Sequence, residues 1–293
     1  MSDILVVGAS GAVGRFLLPR LQATGAGLVA LSRQAQTDVP GLHWLRGGLD
    51  ATLAPPPVDS IVCIGPLDLF ADWLAAAATP ALRRVVALSS MSADSKRESQ
   101  DPAERALATR LAAAERRLAQ RCEAAGVAWT VIRPTLIYGA GMDRSLSPVV
   151  RWARRTRLFP VIAGATGLRQ PVHADDVAAA CVAALAGTAA GQVVPLGGGE
   201  RLSYAQMLAR VRDGLGRSTF PLPLPIGILR LVTRVTGRGG GMVQRLKQDL
   251  VADNASAQSL LGLRPRDFHP GSECWQADPG PGERRNIAEN ETK

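Results

Sequence analysis

The sequence predicts a doubly wound α/β fold, a parallel sheet with helices on both faces, and a smaller lobe built from the second half of the chain. Three observations carry this. Short apolar runs alternate with helical patterns through the first half. The first run leads straight into a glycine triplet that opens a helix. The chain has 293 residues, 46% of them hydrophobic and 20% charged, which suits a large buried core without disulfides or metal.

In order, residues 4–7 read as a buried strand. Residues 13–23 place Val13, Phe16, Leu17 and Leu21 at helical spacing. Residues 28–31 and 60–64 are further strands, with a helical stretch over 69–78 and a strand over 85–88. A long Ala- and Arg-rich helix runs from Pro102, suited to a first turn, to about Ala125, where Gly126 ends it. Residues 129–132 form the next strand. Helices are expected over 148–155 and 174–185, the second opened by Asp175 and Asp176, which suit a helix N-terminus. A strand follows over 193–196, and then a helix over 204–215 with Ser203 as N-cap. Residues 221–225 read as an extended spacer, and 226–235 and 242–250 as helices. The expected division is a first domain from residues 1–145 and 170–195, a lobe from 146–169 and 196–275, and a disordered polar tail over 276–293.

Composition narrows the function classes. The four cysteines (Cys63, Cys122, Cys181, Cys274) and three histidines lack metal-ligand spacing, so reduced structural thiols and no metal are expected. No signal peptide or bilayer-spanning run is read, which makes the cytoplasm the expected compartment. The formal charge is +9, but no nucleic-acid-binding module is recognisable, and an Arg-rich composition accounts for the excess.

The segment Gly8-Ala9-Ser10-Gly11-Ala12-Val13-Gly14 follows a strand and opens a helix. Glycine lets backbone approach a pyrophosphate, and the helix N-terminus behind it presents unpaired N–H groups. A dinucleotide cofactor is therefore expected on Gly8, Ser10, Gly11, Ala12, Val13 and Gly14. The second strand ends in Ser32-Arg33 where an NAD site favours an acidic residue, so Arg33 is expected to pair with a 2′-phosphate and select NADP, with NAD as the alternative.

The spacing G-x-x-G-x-x-G resembles the turn of extended or atypical short-chain dehydrogenases, including the NAD-dependent epimerase/dehydratase family. The likeness continues through Gly48-Leu49-Asp50, Val86-Ala87-Leu88-Ser89-Ser90, Arg133-Pro134-Thr135-Leu136-Ile137-Tyr138-Gly139, residues 170–177 and Leu261-Gly262-Leu263-Arg264-Pro265. It implies a Rossmann domain with a C-terminal substrate lobe, Asp50, Ile64, Gly65 and Pro134 beside the cofactor, and Ser90 as the active-site serine. A homodimer is compatible with it.

Members of that family usually carry Tyr-x-x-x-Lys on the helix after the serine strand. Aligned on Ala112-Ala113-Ala114-Glu115, those positions are Leu107 and Leu111 here, and none of the chain's two Tyr and three Lys lies on this helix. Three readings stay open. One is an atypical oxidoreductase or epimerase-like enzyme acting on a small carbonyl or nucleotide-sugar-type substrate, with Ser90, Tyr138 or His173 as the polar groups. Another is a non-catalytic NADP(H)-binding sensor or assembly protein. A third is a peripheral membrane module, because residues 226–246 mix apolar residues with arginines, although an ordinary surface helix explains the same pattern.

Overall fold

The computed structural model describes residues 3–50, 53–77, 79–162, 164–225 and 246–276. Its centre is a seven-stranded sheet in which every pair is parallel: β1 (Asp3–Val7), β2 (Gly27–Ser32), β3 (Leu42–Arg46), β4 (Ser60–Cys63), β5 (Arg84–Leu88), β6 (Ala128–Pro134) and, after four two- to four-residue strands, β11 (Gln192–Leu196). The order across the sheet is β11-β6-β5-β4-β1-β2-β3. The chain winds outward from β1 in one direction and then restarts at β4 on the other side, so a crevice opens between β1 and β4 at their carboxyl ends.

Both faces are covered, and the strand period of two sorts side chains between them. Ile4 and Val6 of β1 face a core shared with helix α1 (Gly14–Gln22) and with the later helix α6 (Ala174–Ala184). Leu5 and Val7 face the opposite core, with α2 (Leu67–Ala76) and α4 (Pro102–Ala124); the short α3 (Ser92–Ser95) packs on α4. The Asp101 carboxylate caps α4 by accepting from the Ala103 amide at 2.9 Å, and Pro102 occupies the first turn. Gly126 follows with φ +66°, the stop expected from the sequence.

A third core forms the lobe. It unites α5 (Ser147–Thr156), α7 (Tyr204–Asp213), Phe159, Phe268 and a 3₁₀ turn at Ser272–Trp275. The Ser203 and Gln206 side chains make a reciprocal capping box at the start of α7. The small strands are β7 (Ile137–Tyr138) with β10 (Val172–His173), β9 (Leu168–Arg169) with β12 (Leu202–Ser203), and β8 (Leu158–Val161) with β13 (Phe220–Pro223). Helix α8 (Ala255–Leu261) packs against α6 and β11, on the Rossmann side rather than in the lobe.

Two local expectations differ. The stretch read as a spacer is strand β13, and alternation makes its prolines tolerable. The amides of Phe220 and Leu224 point at β8, bonding Arg157 and Val161 carbonyls at 2.7 and 2.9 Å, while Pro221 and Pro223 fall on the outward side, where no donor is needed. Residues 246–250, the described end of the helix expected over 242–250, form a turn and a bridge between Arg169 and Leu250. The expectations for 226–245 and 277–293 lie outside the described residues.

Candidate functional site

A cavity of about 260 Å³ opens in the crevice between β1 and β4. One end is the glycine turn, with Gly8, Gly11, Ala12 and Val13, together with Ile64 and Gly65 from the end of β4. The other end is Leu88, Ser89, Ile137, Tyr138, Ala140 and Asp143.

The glycine turn has the shape a phosphate cradle needs. Gly8 sits at φ +83°, and a side chain there would meet the backbone of Gly65, its nitrogen 2.7 Å from the added carbon. A side chain on Gly14 would overlap the Ala9 carbonyl, so α1 starts pressed against the turn. The turn closes with the Gly11 amide donating to the Gly8 carbonyl at 3.0 Å, and the amides of Ala12 and Val13 find no acceptor among the described residues. Free amides at the positive end of α1 beside a cavity fit a pyrophosphate. Ser10 is exposed in the turn and is absent from the cavity lining.

At the end of β2, Ser32 is buried and its hydroxyl accepts from the Gln34 amide at 3.2 Å. Arg33 is exposed and makes no hydrogen bond or ion pair with a described residue, while Asp50 is exposed in the turn after β3. Pro134 is buried at the end of β6, where its carbonyl accepts from the Met91 amide at 3.0 Å.

The polar groups around the cavity are differently committed. Ser89 lines it, and its hydroxyl donates to Glu115 of α4. Glu115 is buried and held in turn by Arg133, whose Nε donates at 2.9 Å and whose Nη1 reaches Asp94. Ser90, the residue after Ser89, is absent from the cavity lining; half-buried, it accepts from the Ser92 amide at 3.1 Å, which leaves its own O–H free to donate. The Asp143 carboxylate accepts from the amides of Ser145 and Ser147 and from the Ser147 hydroxyl, and so pins the loop entering α5. Tyr138 is 2% exposed, packs edge-on against His173 and Phe268, and its hydroxyl meets no protein partner among the described residues. Burial, reinforced by the neighbouring Cys274, pushes its phenol above the usual tyrosine range, so it is protonated at neutral pH.

His173 stands behind this wall and is absent from the cavity lining. It is the N-cap of α6: its Nδ1 accepts from the Asp175 amide at 3.1 Å, which places the proton of the neutral ring on Nε2, facing the Cys274 sulfur at 4.0 Å. Burial first, and then the Arg266 charge, lower its pKa. Arg266, which the sequence did not single out, pairs with both Asp175 and Asp176, and Arg20 pairs with Asp175. Leu107 and Leu111 are half-buried on α4. All four cysteines are buried thiols, and burial raises Cys63 to about 12.

The fold and the glycine crevice define a Rossmann-type nucleotide-binding protein. The pattern of the NAD dependent epimerase/dehydratase family matches residues 67–197. The chain is 30% identical over 226 residues to a (4-alkanoyl-5-oxo-2,5-dihydrofuran-3-yl)methyl phosphate reductase of Streptomyces griseus subsp. griseus, covering 73% of this chain and 74% of that protein. It is 26% identical over 153 residues to a UDP-glucose 4-epimerase of Vibrio cholerae, a match spanning 52% of this chain and 46% of the epimerase. The solved structure of MoeE5 with UDP-glucuronic acid and NAD superposes with a TM-score of 0.69 at 19% identity, over 97% of this chain and 100% of that one. The chain belongs to the NAD-dependent epimerase/dehydratase family. No helix among the described residues is long and apolar enough to cross a membrane.

Proposed function

We propose that the chain is an NADPH-dependent oxidoreductase acting on a small carbonyl compound that carries a phosphate or nucleotide-linked group. One observation carries the reading: a single cavity joins the glycine turn to Ser89 and Tyr138. A nicotinamide cofactor bound on that turn supplies or accepts hydride. Tyr138, protonated and with no partner among the described residues, donates the proton to the carbonyl oxygen, and Ser90, beside the lining residue Ser89 and with its O–H free, turns to donate a hydrogen bond to the same oxygen. Ser89 cannot share that role, because its proton is committed to Glu115. Arg33 receives the 2′-phosphate of the cofactor. Arg144 and Arg151, exposed beside the loop that lines the cavity, meet an anionic substrate; the named relatives act on a phosphate ester and a nucleotide sugar.

The test starts with calorimetric titration by NADPH and NADH. NADPH is expected to bind more tightly, and Arg33→Ala to weaken NADPH by ~10–100-fold, the value of a charge-assisted hydrogen bond or two, while leaving NADH unchanged. Phosphorylated ketones and unsaturated lactones then serve as substrates, with NADPH consumption followed by absorbance. Tyr138→Phe is expected to lower kcat by ~10²–10⁴-fold with NADPH affinity intact. Tight NADPH binding with no turnover across that panel would refute the catalytic reading. It would favour a non-catalytic cofactor binder, which Leu107 and Leu111 also suit.

A further inference from the structure

The positive charge of the chain is concentrated. Residues 144–174 contain six arginines and no carboxylate, and residues 214–248 contain five arginines, one lysine and no carboxylate. These twelve charges exceed the net +9 of the whole chain, so the remainder is net acidic. The fold brings the described parts of the second stretch, residues 214–225 and 246–248, against the first. Strand β8 from the first pairs in parallel with β13 from the second, the Phe220 amide bonds the Arg157 carbonyl at 2.7 Å, and Arg217 donates to the Arg154 carbonyl at 3.2 Å.

The surface at this junction is basic and apolar at once. Helix α5 turns Val150 and Ala153 into the lobe core and presents Trp152 and Arg155 outward, with Trp152 39% exposed. Phe220 is 70% exposed, and Val161, the register partner of Pro223, is 40% exposed. Neither Arg155, Arg157 nor Arg217 forms an ion pair with a described residue. A protein surface normally hides a phenylalanine this open and disperses like charges. An anionic bilayer rewards both features, because headgroups neutralise the guanidinium groups while the aromatic side chains enter the boundary with the acyl chains. A nucleic-acid backbone rewards only the first.

We propose that the face formed by the end of α5 and by the β8–β13 pair docks on an anionic phospholipid surface, making the protein a peripheral membrane-associated enzyme or binder.

The full chain is sedimented with phosphatidylcholine vesicles and with phosphatidylcholine–phosphatidylglycerol vesicles. Binding is expected only to the second, and to weaken as salt rises. Arg155→Glu with Arg157→Glu removes charges that make no hydrogen bond in the fold. It is expected to weaken binding at least ~25-fold, from about fivefold per lost arginine, with only the small drop in urea midpoint that carboxylates at the C-terminal end of α5 impose. Phe220→Ser is expected to weaken the binding that persists at high salt. In a Phe220→Cys variant, whose other cysteines are buried, a polar maleimide is expected to label the new thiol quickly in buffer and slowly on anionic vesicles. The proposal is overturned by equal sedimentation with both vesicle types, by wild-type binding of the double variant, or by tighter binding to a short DNA duplex than to vesicles. Slow labelling in buffer overturns it too, since the face is then covered by the chain itself.

Discussion

Alanine at Gly8 tests the geometry of the crevice most directly, because two separable costs can be read from the structure. The first is conformational: Gly8 lies at φ +83°, where a side chain costs roughly 1–2 kcal/mol. The second is steric. The added carbon would stand 2.7 and 2.9 Å from the nitrogen and Cα of Gly65, and 3.0 Å from the carbonyl carbon of Ile64. All three are backbone atoms at the end of β4, so no side chain can rotate away, and the strand ends must part. Overpacking of this kind costs roughly 1–3 kcal/mol. The expected loss of about 2–5 kcal/mol is a large share of the ~5–15 kcal/mol that holds a typical domain folded. Gly25→Ala is the control, since Gly25 has φ +75° but nothing within 4 Å of the added carbon. It should lose only the conformational part, roughly 1–2 kcal/mol. Urea unfolding of the two variants gives the difference, and calorimetry with NADPH should show binding retained in Gly25→Ala and lost in Gly8→Ala. If both variants unfold at the same midpoint and bind NADPH like the wild type, the contact between Gly8 and Gly65 does not shape the site and the reasoning fails.

Two further outcomes concern the supports behind the cavity. The folded pKa of His173 lies below the ordinary 6.5, so the unfolded chain takes up a proton that the folded chain resists. Stability is therefore fully present above about pH 6.5 and is lost as pH falls toward the folded value, and the urea midpoint should drop between about pH 7 and about pH 5.5. His173→Asn keeps an acceptor for the Asp175 amide and should flatten that drop; an unchanged slope would show that another group titrates. Arg133→Met should cost roughly 3–5 kcal/mol, because it strands a carboxylate on Glu115, which is 6% exposed. Adding Glu115→Leu should recover most of that loss in the same unfolding assay, and a further decrease instead would mean that the pair stabilises the fold beyond its own desolvation.

The parts of the fold that repeat a local physical signal were legible in the residues. β1, the glycine turn and α1 follow from an apolar run, three glycines and a helical period, and α4 and α7 from their caps. Strand β3 gave no comparable signal, because Leu42-His43-Trp44-Leu45-Arg46 buries only its first residue and lies on the sheet edge. The two-residue strands are too short for any period. The site divides in the same way. Gly8, Gly11, Ala12, Val13, Ile64 and Gly65 line the cavity, and all lie at strand ends or in the turn, where backbone alone decides position. Ser89 and Ser90 are chemically equivalent as letters; their place relative to the cavity and their hydrogen-bond partners distinguish them, and Glu115 is 26 residues from Ser89. His173 reads as a candidate catalytic group in sequence, yet its Nδ1 is taken by the amide of Asp175 in the helix that begins at Ala174.

The alternation of Pro221 and Pro223 along β13 has a consequence for the protein in concentrated solution. An exposed apolar strand at an open edge is ordinarily a template on which a second chain adds its own strand, and so a route to fibrils. Here the outward edge offers carbonyls but no N–H at either proline, so an incoming strand would leave half of its bonds unmade. The chain can thus hold Phe220 open to its surroundings while refusing the growth of a shared sheet.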